Sequence, residues 1–297
     1  MEPCNHTRLM NYIIGMCKKH KDWISILADL GYEPQVIEQQ IRTASDEIVK
    51  PDIITASNKL LHAIVFECKG GTTLDLHQLN RYSALTSDDL RRWVTVFAPK
   101  DLGFDLCISD LAENHALIAQ MNKDFPMITF SVDKVFKTGR FKEGKLNDTF
   151  REPISLKGRI PPLLYYPFCE EDEDTYIALF VMRGLISIAV KNAKGGPSAF
   201  DDNVIALETL IQWIFNPVFE ALSKDHQRRL REKIKENIHG IMAREDMKEA
   251  LEIIERQAAV KIARPLEKFT KEAGKYIAFL ETQRPLSEFM SKQKPSS

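Results

Sequence analysis

Two carboxylates and a lysine, Asp52, Glu67 and Lys69, stand at the ends of short apolar runs where a globular chain ordinarily places Val or Ile. Pro51-Asp52 leads into Ile53-Ile54, and Glu67-Cys68-Lys69 follows Ile64-Val65-Phe66. A charge in such a run is costly unless it has a partner. A hard cation such as Mg2+ takes oxygen ligands and keeps several waters, so Asp52, Glu67 and a nearby backbone carbonyl are enough protein for it. Such an ion supplies Lewis acidity and a more acidic water. A lysine beside it orients or deprotonates the attacking water and steadies charge on a phosphate. The set predicts metal-assisted hydrolysis of phosphodiester bonds.

The elements that must position these groups follow from local pattern. Residues 47–56 and 60–69 are rich in Ile, Val and Phe and flank Ser57-Asn58-Lys59, a hairpin signal. With Asn58-Lys59 as a two-residue loop, Asp52 lies opposite Val65, and Glu67 and Lys69 follow on the same face because side chains alternate along a strand. Asp52 and Glu67 then sit diagonally across the pair, roughly 7 Å apart. Gly70-Gly71 closes the strand, and Thr72 with Asp75 reads as a capping box opening a helix to about residue 85. On that helix Gln78 and Tyr82, four residues apart, share a face. Before the hairpin, periodicity predicts helices over residues 7–19, capped by Asn5 or Thr7, and over 23–30, ending at Gly31. Residues 36–41, which contain Glu38, fit either a continued helix or a first strand, the strand being preferred. After the hairpin come strands over 93–98 and 127–132, with a helix over 111–122 between them. The order gives an α/β fold, a mixed β-sheet flanked by helices.

With Pro51-Asp52, fourteen intervening residues, Glu67-Cys68-Lys69 and Gln78-x-x-x-Tyr82 in place, the chain resembles the PD-(D/E)xK nucleases, in the branch that carries the additional Gln-x-x-x-Tyr motif. The resemblance spans residues 1–135. It implies a restriction-endonuclease-like fold in which Asp52, Glu67 and the Cys68 carbonyl hold Mg2+ or Mn2+ and Lys69 activates water. It also implies that Gln78 and Tyr82 position the metal site and the nucleic-acid backbone, with Arg81 as a further contact. Glu38 is the candidate for the additional glutamate that many members use as a second metal contact. The implied substrate is DNA before RNA, in repair or in restriction and anti-phage defence. The rival is a catalytically silent nuclease-fold module that binds nucleic acid or assembles a larger defence complex, and an intact Asp52-Glu67-Lys69 set argues against it.

The 297 residues accommodate more than one domain. The expected division is a nuclease domain over 1–135, a linker or basic connection over 136–165, and a mostly α-helical domain over 166–290. Helices are expected over 175–191, 202–221, 225–243, 246–263 and 267–280, and this domain would contact DNA, a protein partner or a second copy. A net charge of −1 leaves nucleic-acid binding to local patches. The five cysteines are odd in number and lack a Cys-x-x-Cys pair, which argues against a disulfide framework and an iron–sulfur cluster. No run of 18 apolar residues and no basic leader before an apolar stretch occurs, so a cytoplasmic protein without a membrane partner is expected.

Overall fold

The β-branched and aromatic residues on either side of Ser57 do form a hairpin, and it supplies the second and third strands of a seven-stranded sheet. The computed structural model describes residues 2–20, 23–94, 102–122, 124–156, 164–193 and 203–282. The chain divides into two compact units: Cys4–Tyr166 with Pro217–Gln227, and Pro167–Asn216 with Met1–Pro3 and the residues from Arg228 onward.

In chain order the first unit holds α1 (Asn5–Met16), α2 (Ile26–Asp29), β1 (Tyr32–Ile37), β2 (Ile41–Arg42), β3 (Ile48–Val49), β4 (Ile53–Ser57), β5 (His62–Lys69), α3 (Leu76–Tyr82), α4 (Ser87–Arg91), β6 (Gly103–Leu111), α5 (His115–Met121), β7 (Met127–Phe130), β8 (Lys134–Thr138), α6 (Gly144–Thr149) and β9 (Ile154–Ser155). The sheet order is β1-β4-β5-β6-β7-β8-β9. β1, β4 and β5 form an antiparallel meander, β5, β6 and β7 run parallel, and β7, β8 and β9 are antiparallel. The sheet is therefore mixed, as expected.

Alternation sorts the two faces. Ala63, Val65, Ile108 and Met127 point to one, where they pack with Leu79 and Tyr82 of α3 and Ile118 of α5. α1 packs against β5 and β6 and buries Leu9, Met10 and Ile13 completely. Burying each such side chain contributes about 1.5–3 kcal/mol relative to exposure. Asn11 ties α1 to a distant part of the chain, donating to the Tyr166 carbonyl (2.6 Å) and accepting from the Tyr166 amide (2.9 Å). Residues 217–227 return to the open edge of β1, where the Ser223 amide donates to the Ile37 carbonyl at 3.0 Å.

Several local expectations are corrected. The hairpin loop comprises residues 58–61, so Ile53 faces Phe66 and the register is displaced by two residues. An even displacement leaves every side chain on its expected face. α1 starts earlier than expected and is capped by Cys4, whose Sγ accepts from the Thr7 amide, not by Asn5 or Thr7. α3 is capped by Asp75 alone, which accepts from the amides of His77 and Gln78. β1 stops at Ile37, so Glu38 is not in a strand. Trp93 and Val94 follow α4 outside any strand, and the rest of the strand expected over 93–98 lies outside the described residues. β6 was not foreseen, and residue 111 ends it instead of opening a helix. The supposed connection over 136–165 carries the end of β8, α6 and β9, so it extends the sheet.

The second unit contains α7 (Asp174–Ala193), β10 (Val204–Ala206), α8 (Leu207–Ile214), α9 (Lys224–Met242, of which the residues from Arg228 belong here), β11 (Leu251–Ile254), β12 (Ala259–Ile262) and α10 (Leu266–Thr282). It is mostly helical as expected, but β10, β12 and β11 form a small antiparallel sheet where helices were expected over 202–221 and 246–263. α7 packs against α8 and α10. Among the described residues α7 is also the helix long and apolar enough to cross a membrane, yet 56% of that window is buried within the fold, as in the core helix of a globular unit.

Candidate metal centre

Four segments meet at one edge of the large sheet: the first turn of α1, the turn after β1, the start of β4 and the end of β5. They bring together His6, Glu38, Asp52, Glu67 and Lys69. The ligand atoms of His6, Glu38 and Asp52 all lie within 4.8 Å of one another. His6 Nε2 is 3.5 Å from Glu38 Oε1 and 3.9 Å from Asp52 Oδ1. Its Nδ1 lies 3.4 Å from the Cys68 carbonyl, which fixes the ring with Nε2 turned to the carboxylates. That is how second contacts orient metal-ligating histidines. A carbonyl has two acceptor sites, so this bond leaves Cys68 able to face a cation as well.

Glu38, a side candidate from sequence, is a full member of the cluster. Its backbone adopts φ +58, unusual for a residue with a side chain. Three hydrogen bonds hold it there or close by: its amide donates to the Asp52 carbonyl at 2.9 Å, its carbonyl accepts from Ser223 Oγ at 2.8 Å, and Ser223 grips the preceding Ile37. Strain held by surrounding structure is characteristic of functional positions. The side chain also pairs with Lys50.

Glu67 and Lys69 belong to a closed ring of hydrogen bonds. Lys69 Nζ is 2.7 Å from Glu67 Oε1 and donates to Gln78 Oε1 at 3.3 Å. Gln78 Nε2 donates to the Tyr82 hydroxyl at 3.2 Å, and that hydroxyl donates to Glu67 Oε2 at 2.6 Å. The four-residue spacing on α3 is what lets one helix face supply both groups. Tyr82 is buried and Gln78 half-buried, so the structure places them behind Glu67 and Lys69 as orienting groups. Arg81 is exposed on the last turn of α3, and no hydrogen bond among the described residues ties it to the cluster. His6 was missed by sequence reasoning; the available signal was its place on the buried face of α1, three and four residues before Leu9 and Met10.

The electrostatics reflect crowded carboxylates. Burial, then the neighbouring Glu67, raises the Asp52 carboxyl well above the usual range, although the Cys68 amide donates to Oδ2 at 2.6 Å. Burial opposes charge on His6, but Asp52 and Glu38 outweigh it and push the imidazole up to about 10. Burial likewise opposes charge on Glu38, yet His6, His226 and Lys50 hold its carboxyl far below the usual range. Burial would lower Lys69, but the contact with Glu67 raises it, so the ammonium form prevails at neutral pH.

Gly70 sets the distance between β5 and α1. A Cβ there would meet the His6 amide nitrogen at 2.8 Å and Asn5 Cβ at 3.0 Å. The Gly70 carbonyl also accepts from Asn5 Nδ2 at 3.0 Å and Asn114 Nδ2 at 3.2 Å. Gly70→Ala must therefore shift the first turn of α1, and is expected to destabilise the fold by about 1–3 kcal/mol. A urea midpoint equal to that of the parent protein would contradict this packing.

A family model described as the MJECL32 domain matches residues 5–166, almost the whole N-terminal segment of the first unit. A protein of Methanocaldococcus jannaschii, named Uncharacterized protein MJECL32, is 24% identical over 210 residues. The match covers 62% of this chain and 46% of that relative, so the chain spans less than half of the relative's length. No solved structure matches.

Proposed function

The chain belongs to the MJECL32 domain family, and on the site's own geometry we propose that it is a metal-dependent nuclease that hydrolyses phosphodiester bonds, with DNA as the first candidate substrate. The observation that carries this reading is the convergence of His6, Glu38 and Asp52, within 4.8 Å, beside the Glu67–Lys69 pair. The succession of α1, the β1-β4-β5 meander, α3 and parallel β6 supports assignment to the restriction-endonuclease-like fold of the PD-(D/E)xK nucleases. Work in repair or in restriction of foreign DNA would be in keeping with that likeness.

The donor set suits a divalent ion. Buried carboxylates as close as Asp52 and its neighbours repel one another unless a proton or a cation intervenes. His6, Glu38 and Asp52, with Glu67 and the Cys68 carbonyl alongside, would hold the ion. The mixture of one imidazole nitrogen with several oxygens suits Mn2+ at least as well as Mg2+, whose preference is for oxygen alone. Such an ion, when bound, supplies Lewis acidity and a more acidic water.

The remaining roles fall to the chain itself. Lys69, kept protonated by Glu67, is a donor: it places an attacking water or a phosphate oxygen and offsets developing negative charge. A lysine in this state does not take the water's proton. Tyr82 and Gln78 fix both partners of that pair.

Metal binding should displace protons, because His6 and Asp52 both hold theirs more tightly than usual in the cluster. Deprotonated forms are the ligands, so affinity should rise with pH, by up to about tenfold per pH unit for each proton released. Calorimetric titration with Mn2+ in buffers of different ionisation enthalpy measures that number, and zero proton release would remove His6 from the ligand set.

The function is tested by incubating the protein with single- and double-stranded DNA and RNA in the presence of Mg2+, Mn2+ or EDTA, beside Glu67→Gln and Lys69→Met variants. Cleavage is expected only with metal and only in the parent protein. Cleavage that persists in both variants overturns the site, and binding without any cleavage favours the silent module.

A further inference from the structure

The polar edge of the sheet continues past Lys69. Parallel partners point to the same face, and Asp110 of β6 is the register partner of Lys69, with Thr129 of β7 next to it in turn. Asp110 is buried, and His115 Nδ1 lies 3.1 Å from its Oδ2 and 2.9 Å from Thr129 Oγ1. These bonds leave Nε2 as the remaining polar atom of a ring that is 21% exposed. His115 also follows Asn114, which shares the Gly70 carbonyl with Asn5, the neighbour of His6.

Beyond His115 the same edge becomes basic and aromatic. Phe136 meets the imidazole edge-on, with ring centroids 5.3 Å apart. Phe136 in turn lines a cleft of about 270 Å3 formed with Lys134, Lys137, Phe150, Arg151 and Pro153. Three cations and two aromatic rings line this cleft, and no carboxylate does. Lys137 Nζ bonds Asn147 Oδ1 at 3.2 Å and the Gly139 carbonyl at 2.8 Å, which holds it in place. Arg151 pairs with Asp148 at 2.8 Å, but both are more than two-thirds exposed, so exchange for a phosphate costs little.

We infer that the Lys134–Lys137–Arg151 cleft, joined to the metal centre through His115 and Phe136, is a track for the single-stranded segment of a polynucleotide next to the scissile phosphate. Charge complementarity selects a polyanion. A half-buried aromatic ring, Phe136, set among the cations matches the way unpaired nucleotides are held, with phosphates on Lys and Arg and a base face on a ring. A paired base has no free face to offer Phe136, which is half-buried, while Phe150 is buried and closes the floor of the cleft. The inference rests on the nuclease reading for the identity of the neighbouring site, but its test does not depend on cleavage.

Binding of fluorescein-labelled 12-residue oligonucleotides, single-stranded DNA, single-stranded RNA and duplex DNA, is measured by anisotropy in EDTA over a range of salt. The whole chain is used, alongside Lys134→Ala/Arg151→Ala, Phe136→Leu and His115→Ala variants whose folding is checked by thermal melting. The parent should prefer single strands to duplex. The double variant should bind more weakly, with its log–log salt slope reduced by about 0.7 for each cation removed. Phe136→Leu should weaken binding by about fivefold or more at unchanged slope, and His115→Ala should weaken it as well. Equal affinity in parent and variants, preference for duplex, or no oligonucleotide binding by the parent each overturns the track. Losses in binding as expected, with no cleavage by the parent when metal is restored, keep the track and reject the nuclease reading instead. The DNA and RNA arms decide which polynucleotide it takes.

Discussion

Asp52→Asn is expected to reduce metal-dependent cleavage by at least about 10²-fold and, at the same time, to raise the melting temperature of the metal-free protein. The two effects share one cause. Asp52 is buried beside Glu67 and Glu38, and burial with those charges lifts its carboxyl well above the usual range. An acid whose folded pKa exceeds its unfolded value, about 3.9, binds its proton more tightly in the native state. Stability therefore falls as pH rises from the unfolded value towards the folded one. At neutral pH the parent bears this penalty, and asparagine of the same shape does not. Its side-chain oxygen can still accept the Cys68 amide that now bonds Asp52. The variant gives up one charge partner of His6, which retains Glu38. Mn2+ should then raise the melting temperature of the parent markedly and that of Asp52→Asn little, since a cation relieves what the substitution has already removed. A variant less stable than the parent without metal, yet equally responsive to Mn2+, would show that Asp52 is a structural charge.

The parts of this site legible in the sequence were those fixed by parity and helical spacing. The hairpin register is two residues away from expectation, but an even slip keeps Asp52, Glu67 and Lys69 on one face, so the error was harmless. Gln78 and Tyr82 were legible because four residues are close to one helical turn. Their place behind Glu67 depends on how deeply α3 packs, which spacing does not encode. Glu38 is only a side candidate in the sequence because residues 36–41 fit a helix as well as the preferred strand; its place in the cluster rests on a left-handed backbone turn pinned by Ser223, far along the chain. His6 is ordinary in local sequence, and only packing of α1 beside Gly70 brings it to Asp52.

The fold shows the same division. β6 escaped notice because Asp105, Ser109 and Asp110 interrupt its apolar residues, yet all three are buried. The Lys142 and Glu143 amides that satisfy Asp105 lie far along the chain, outside any local window, while Asp110 meets His115, five residues on, only because the chain turns back from β6 into α5. The window 246–263 as a whole is rich in Ala, Glu and Lys and so suggests a helix, although Ile and Val make up half of β11 and β12, and the turn between them uses Ala258 at φ +45 where a glycine would have marked a hairpin. The basic segment 136–165 looked like a linker by composition. Its β8 residues Phe136 and Lys137 nonetheless pair with β7, and two of its cations, Lys137 and Arg151, line the cleft next to Phe136.

Asp105→Ala is expected to be the most destabilising of these substitutions, by about 3–5 kcal/mol, a large share of the roughly 5–15 kcal/mol that holds a domain folded. Asp105 is 3% exposed near the start of β6. It accepts from the Lys142 amide at 3.0 Å on each oxygen and from the Glu143 amide at 3.4 Å. His62 Nε2 lies 3.3 Å away, and the other ring nitrogen meets the Tyr32 hydroxyl at 2.9 Å. Truncation would leave two amides without their acceptor, would remove the carboxylate beside the buried His62 ring, and would release the segment that leads into α6. Burial alone would raise the Asp105 carboxyl, but His62 and the two amides outweigh it and hold it below the usual range. The native state therefore favours the carboxylate. The stabilisation is present above the unfolded pKa and is lost as pH falls through the lower, folded value. Asp105→Asn should recover part of the loss, because an amide oxygen can still accept from Lys142. His62 opens β5 and Lys69 closes it, roughly 23 Å apart along the strand. Mn2+ affinity of the folded Asp105→Ala variant should accordingly match the parent. Urea midpoints at neutral and acidic pH test the first claim and calorimetry the second. A cost below about 1 kcal/mol would mean that water reaches the Lys142 and Glu143 amides, and that this buried carboxylate holds nothing in place.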